Sequence, residues 1–175
     1  MVLKEKIAKK MVDIGAVKKG EFILSSGKKS NFYVDVKLAC TYPDLLKNIV
    51  ECISNLADDF DSIACIELGG VPIATALSIK TNKRMVILRK KKKDYGIKSD
   101  LIGVIQDGEV VLVVEDVTTT GKSAISTVER VRSFGAKVFQ VISVVDRGEG
   151  AVENLAKVGV ELSSVLTIKD LLKFL

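Results

Sequence analysis

Apolar residues in this chain recur at two periods, and each change of period marks an element. Residues 3–12 read as an amphipathic helix. From residue 20 to 36 the spacing alters. Phe22, Leu24, Phe32, Val34 and Val36 fall on alternating positions around the turn-prone Ser25-Ser26-Gly27-Lys28-Lys29-Ser30-Asn31, which predicts a β-hairpin-like lobe. Pro43 is suited to the start of a helix, where its missing N–H costs little. Leu46, Ile49, Val50, Ile53 and Leu56 then form a stripe at helical spacing.

Beyond this point strands and helices alternate. Strands are expected at 62–66, 85–88, 110–115, 138–145 and, at a sheet edge, 160–166. Helices are expected at 72–80, 123–134, 151–157 and 168–175, with Gly135 placed to end the second of these. The run 110–115 is continuously apolar before its acidic end, as suits a parallel strand covered on both faces. The βαβα order predicts one α/β domain over residues 1–175: a doubly wound, mainly parallel sheet flanked by helices, with a small N-terminal lobe over about 1–40. In such sheets ligands bind outside the carboxyl ends of the strands, so strand-end residues are the first candidates for chemistry.

Composition narrows the possibilities. At 175 residues, 47% hydrophobic and 28% charged, the chain is an ordinary globular sequence. No apolar run approaches a membrane span, and the N-terminus lacks a signal-peptide core, so a cytoplasmic protein without membrane attachment is expected. The three cysteines, Cys40, Cys52 and Cys65, fit no zinc or redox spacing and are expected as buried small hydrophobes. There is no histidine, which removes the usual general base at neutral pH. Catalysis would rest on carboxylates, lysines, a metal or positioning. The net charge of +5 favours anionic partners.

The most informative segment is Val110-Val111-Leu112-Val113-Val114-Glu115-Asp116-Val117-Thr118-Thr119-Thr120-Gly121-Lys122-Ser123. A buried strand delivers two adjacent carboxylates to its tip, and a threonine-rich turn and a helix start follow. Backbone N–H groups of such a turn, with the helix N-terminus, make a phosphate site. Gly121-Lys122-Ser123 looks like the tail of a Walker A loop, but that motif needs glycine where Asp116 stands. Two acids beside a phosphate site make sense if the ligand also carries a ribose diol, or magnesium bridging its oxygens.

This stretch resembles the phosphoribosyl pyrophosphate signature of the type I phosphoribosyltransferases. The resemblance implies that Glu115 and Asp116 hold ribose hydroxyls, while the turn from Thr118 to Ser123, with Val117 leading into it, holds the 5′-phosphate. Three further segments resemble the orotate phosphoribosyltransferases within that family. Gly20 to Asp35 is similar to their N-terminal signature, where the lobe forms a hood over the base. Arg89-Lys90-Lys91-Lys92-Lys93-Asp94-Tyr95-Gly96 begins a charged stretch without periodicity, expected as a mobile loop over about 89–103. It resembles the family's catalytic loop, which implies that Arg89, Lys90 and Lys93 neutralise pyrophosphate, acting with Asp116 in catalysis. Val145-Asp146-Arg147-Gly148-Glu149-Gly150 follows a buried strand, and the resemblance sets Arg147 and Thr119 against orotate. Glu67-Leu68-Gly69-Gly70-Val71-Pro72 is a strand-to-helix turn whose glycines could offer amides to pyrophosphate. The chain departs from the family at Tyr95, where a histidine is usual, and at Ser25 and Gly69, where some members carry lysine.

The resemblance therefore implies a magnesium-dependent glycosyltransferase of pyrimidine (UMP) biosynthesis. It would join phosphoribosyl pyrophosphate to N1 of orotate. Members pair as homodimers, one subunit's basic loop reaching its neighbour's site. Two other readings stand beside it. One is a purine-base phosphoribosyltransferase. The other is a regulator that senses phosphoribosyl pyrophosphate and binds nucleic acid, for which 175 residues leave no room for a DNA-binding module, so no nucleic-acid partner is expected.

Overall fold

The computed structural model describes residues 2–23, 27, 29–90 and 100–175. The chain begins with helix α1 (Leu3–Asp13), then the antiparallel strands β1 (Val17–Ile23) and β2 (Lys29–Val34). Two helices follow, α2 (Val36–Cys40) and α3 (Pro43–Leu56). The rest alternates: β3 (Ser62–Ile66), α4 (Gly70–Thr81), β4 (Arg84–Leu88), β5 (Leu101–Ile102), β6 (Val111–Thr118), α5 (Lys122–Ser133), β7 (Gln140–Asp146), α6 (Ala151–Ala156), β8 (Glu161–Thr167) and α7 (Ile168–Leu172).

The main sheet has the order β5-β4-β3-β6-β7-β8. All its pairings are parallel except β5 on β4. Alternate side chains along each strand face opposite ways, and here they feed two separate cores. Ile63, Cys65, Leu112 and Val114 join one core with residues of α1, α3, α4 and α7. Ala64, Val111, Val113 and Val141 join the other with Ala124, Val128 and Val131 of α5 and Leu155 of α6. This is the doubly wound architecture expected, and the order reverses between β3 and β6. β8 lies at the edge, as its pattern predicted.

The differences from expectation have local causes. Val36 does not continue the hairpin's alternation. Asp35 accepts the Leu38 N–H at 3.1 Å and so starts α2, turning Val36 into the core. Helix α1 packs against α3 and α7, so it belongs to the main body, and the projecting hood is the β1–β2 hairpin. Strand β6 runs on to Thr118, because its pairing with β7 continues through Thr118 opposite Asp146. The expected loop over 89–103 is closed at its base. The Arg89 N–H donates to the Asp100 carbonyl at 2.8 Å, and Leu101–Ile102 pairs with Ile87–Leu88. Residues 91–99 of that loop, including Lys91, Lys92, Lys93 and Tyr95, lie outside the described residues, as do Leu24, Ser25, Ser26 and Lys28 of the hood turn.

Gly70 sets how closely α4 approaches the sheet. A Cβ there would stand 2.8 Å from the Cys65 Cβ and 3.1 Å from the Val114 carbonyl oxygen. Gly70→Ala should therefore cost about 1–3 kcal/mol of stability by overpacking. Urea unfolding of wild type and variant checks this, and coincident midpoints would contradict the account.

Candidate active site

The crevice at the switch point lies between the carboxyl ends of β3 and β6, where open α/β sheets bind ligands. From β6 come Glu115, only 6% exposed, and the half-buried Asp116. From the β3–α4 turn comes Gly69, where a Cβ would stand 2.0 Å from Asp116 Oδ2. A lysine at this position would therefore need Asp116 to move. From α2 comes Lys37, whose Nζ lies 3.7 Å from Asp116 Oδ2 and 3.8 Å from Asp35 Oδ1. Asp116 Oδ1 also accepts the Val117 N–H at 2.9 Å.

Glu115 is the most perturbed group in the crevice. Burial first, then the neighbouring Asp116 carboxyl, raises its pKa to about 8, with Lys90 pulling the other way. Its Oε2 has no hydrogen-bond partner among the described residues. Near neutral pH this favours the protonated form of Glu115. Lys90 stands just past the tip of β4, and its backbone N–H donates to Glu67 Oε1 at 2.8 Å. The cysteines are buried and unpaired, as expected. Burial lifts the Cys40 thiol to about 11 and that of Cys65 to about 12, so neither supplies a thiolate.

After β6 the chain turns through Thr119, Thr120 and Gly121 into α5. Gly121 has φ +78° and offers no side-chain cap, leaving the first-turn amides of α5 for an anion. A Cβ on Gly121 would stand 3.3 Å from Ala151 Cα. Asn154 Nδ2 holds the Thr120 carbonyl at 3.0 Å, pinning the turn to α6. Lys122 and Ser123 are exposed at the helix start. The Thr118 hydroxyl differs from expectation. It is 2% exposed and bonds Asp146 Oδ1 at 3.0 Å and Ser143 Oγ at 3.1 Å, so it ties β6 to β7. The anion donors are left to Thr119, Thr120 and the backbone.

Arg147 stands at the neighbouring tip, β7, its backbone N–H on the Thr118 carbonyl at 2.9 Å. Its side chain is 7% exposed beneath the hood.

The phosphoribosyl transferase domain family matches residues 42–169. An orotate phosphoribosyltransferase of Archaeoglobus fulgidus is 51% identical over 175 residues, covering 99% of this chain and 94% of that one. The chain belongs to the orotate phosphoribosyltransferases. Among solved structures, the orotate phosphoribosyltransferase of Mycobacterium tuberculosis in complex with 5-phospho-alpha-D-ribosyl 1-diphosphate aligns with TM-score 0.79 and 30% identity, covering 97% of this chain and 99% of that one. The UMP synthase of Leishmania donovani aligns with TM-score 0.88 and 29% identity, over 98% of this chain but 38% of that longer one.

In an orotate phosphoribosyltransferase of this geometry, one end of the sheet gathers two adjacent carboxyls, a glycine-opened threonine turn and the buried Arg147. Sequence reasoning singled out Glu115, Asp116, the turn and Arg147, and the fold brings all of them to that end. It missed Lys37 and Asn154, which reach the site from elements far away in the chain. The available signal for Lys37 was Asp35, a helix-starting residue directly after the hairpin.

The raised pKa of Glu115 has a consequence for stability. Between about 4.5 and 8 the unfolded chain has lost this proton while the folded chain keeps it, so stability falls as pH rises through that window. Glu115→Gln should remove this fall. Urea midpoints at the two ends of the window measure it, and an equal fall in wild type and variant would contradict the assignment.

Proposed function

We propose that this chain transfers the 5-phosphoribosyl group of phosphoribosyl pyrophosphate to N1 of orotate, giving orotidine 5′-monophosphate and pyrophosphate. The observation that carries the reading is the buried Glu115 with the half-buried Asp116 beside a glycine-opened, threonine-lined turn. The names of the curated relatives support the same substrates over a purine base or a regulatory role.

The ribose hydroxyls donate to Glu115 and Asp116, and the 5′-phosphate takes the amides and hydroxyls of Thr119 to Ser123. As the C1–O bond breaks and C1–N1 forms, charge builds on the leaving pyrophosphate and the N1 proton is released. Arg89, Lys90 and Lys93 supply cations for that charge, which stabilise the transition state more than the substrate. The influence of Lys90 on Glu115 supports its nearness to the acid couple. Arg147 matches the carboxylate of orotate with a guanidinium fork, and Thr119 adjoins it. With no covalent enzyme nucleophile, positioning and charge do the catalysis.

Magnesium fits this site. A ligand rich in phosphate oxygens suits a hard cation that keeps most of its waters and rides on those oxygens, with the Asp116 carboxyl nearby adding a favourable charge. It would enter with the pyrophosphate and neutralise its charge, while Glu115 and Asp116 are left to the ribose hydroxyls. The enzyme works as a homodimer in which the basic segment serves the neighbouring site, a reading supported by the family resemblance. The unpaired thiols support a cytoplasmic setting.

Product formation with orotate, uracil, adenine, hypoxanthine and xanthine, each with phosphoribosyl pyrophosphate and magnesium, tests the reading. Orotate alone should give nucleotide, and activity confined to a purine would overturn it. Asp116→Asn should lower kcat/KM by about 100-fold or more, a loss typical of removing one electrostatic contact to the reacting group. Circular dichroism should show the fold retained, and near-normal turnover would count against the role.

A further inference from the structure

The Arg147 side chain bridges two parts of the molecule. Its Nη2 donates to Ser30 Oγ at 2.6 Å and its Nη1 to the Phe32 carbonyl at 3.2 Å, both on β2 of the hood. Its Nε donates to Glu149 Oε1 at 2.9 Å. Ser30 is itself fixed, its hydroxyl donating to the Phe32 carbonyl at 2.9 Å and accepting the Phe32 N–H at 3.1 Å. Gly148 and Gly150, with φ of +68° and +101°, flank Glu149 and fold the chain back so that its carboxylate meets Arg147. The Gly148 N–H is held by Asp146 Oδ1 at 3.2 Å, which anchors this bend to the strand end.

A guanidinium has five N–H bonds, and among the described residues three have partners. Glu149 offsets the buried charge from one side, and the hood receives two bonds on another. A free arginine side chain loses considerable rotamer entropy when it is fixed. Here that loss is met within the fold itself, and the planar fork is held with two N–H bonds left over among the described residues.

We propose that Glu149 and Ser30 are positioning residues that hold Arg147 as a clasp between hood and sheet, so that recognition of the base's carboxylate and seating of the hood are one coupled event. The proposal rests on the reading of Arg147 as the ligand of that carboxylate. Because Glu149 acts through Arg147, its removal should weaken binding of the base and loosen the hood together, leaving the phosphoribosyl end of the site alone. A glutamine at 149 retains an acceptor oxygen for Nε and should preserve the clasp.

The test uses the full-length enzyme and the variants Glu149→Ala, Glu149→Gln and Ser30→Ala. Glu149→Ala should raise KM for orotate by about tenfold, the loss of one charge-assisted hydrogen bond. KM for phosphoribosyl pyrophosphate should hold, and Glu149→Gln should restore most of the loss. Hydrogen exchange should quicken over residues 29–34 in Glu149→Ala and Ser30→Ala, with β6 unchanged. An orotate KM that is unaltered or lower in Glu149→Ala would overturn the proposal, identifying Glu149 as a competitor for the guanidinium. Should the wild type not turn over orotate at all, the functional reading fails by itself. Hood exchange still decides the clasp in that case, and equal rates in wild type and both alanine variants would exclude it.

Discussion

Placing two adjacent carboxyl groups at the tip of a strand buried on both faces is the demand to which the rest of this end of the molecule responds. Taking a carboxylate out of water is costly unless it is paired or protonated. Glu115 answers by holding a proton at neutral pH. Asp116 answers with Lys37 from α2 and its own neighbour's N–H. Space for the pair comes from Gly69 on the adjoining strand's turn, where no side chain could stand without displacing Asp116. Strand, helix and turn thus converge on one couple from three elements.

The same logic explains how the two cores divide the work. The core on the α1, α3, α4 and α7 face holds the turn that carries Gly69 against β6. The core on the α5 and α6 face holds the threonine turn, through Gly121 against Ala151 and Asn154 on Thr120. The acid couple and the threonine turn are therefore supported by opposite faces of a single sheet, joined by the Thr118–Asp146 bond between neighbouring strands.

What could be read from the chain alone was whatever depends on near neighbours in sequence. Uninterrupted apolar runs located β3, β6 and β7, and the helical stripe located α3. The acid pair and threonine turn are contiguous, so their chemistry was legible in one segment. Long-range partnerships were not. Lys37 was invisible because its significance lies in a carboxylate on another element, and α2 has too few residues to show a period. The two-residue β5 carries no pattern at all. The inward turn of the Thr118 hydroxyl was not legible either, because a strand's end is set by its partner: β7 pairs as far as Asp146, which draws that hydroxyl inward.

The bond between Arg89 and Asp100 gives the enzyme a pair of fixed posts at the sheet edge. Asp100 is further held by Arg130 of α5, 3.7 Å away. Whatever chain runs between such posts is closed at its base already, and lengthening a closed stretch is cheap: doubling it adds only about 0.6 kcal/mol in closure entropy. Changes of length between the posts would thus leave the register of every strand as it is, so the segment can be shaped for its chemistry apart from the demands of the sheet.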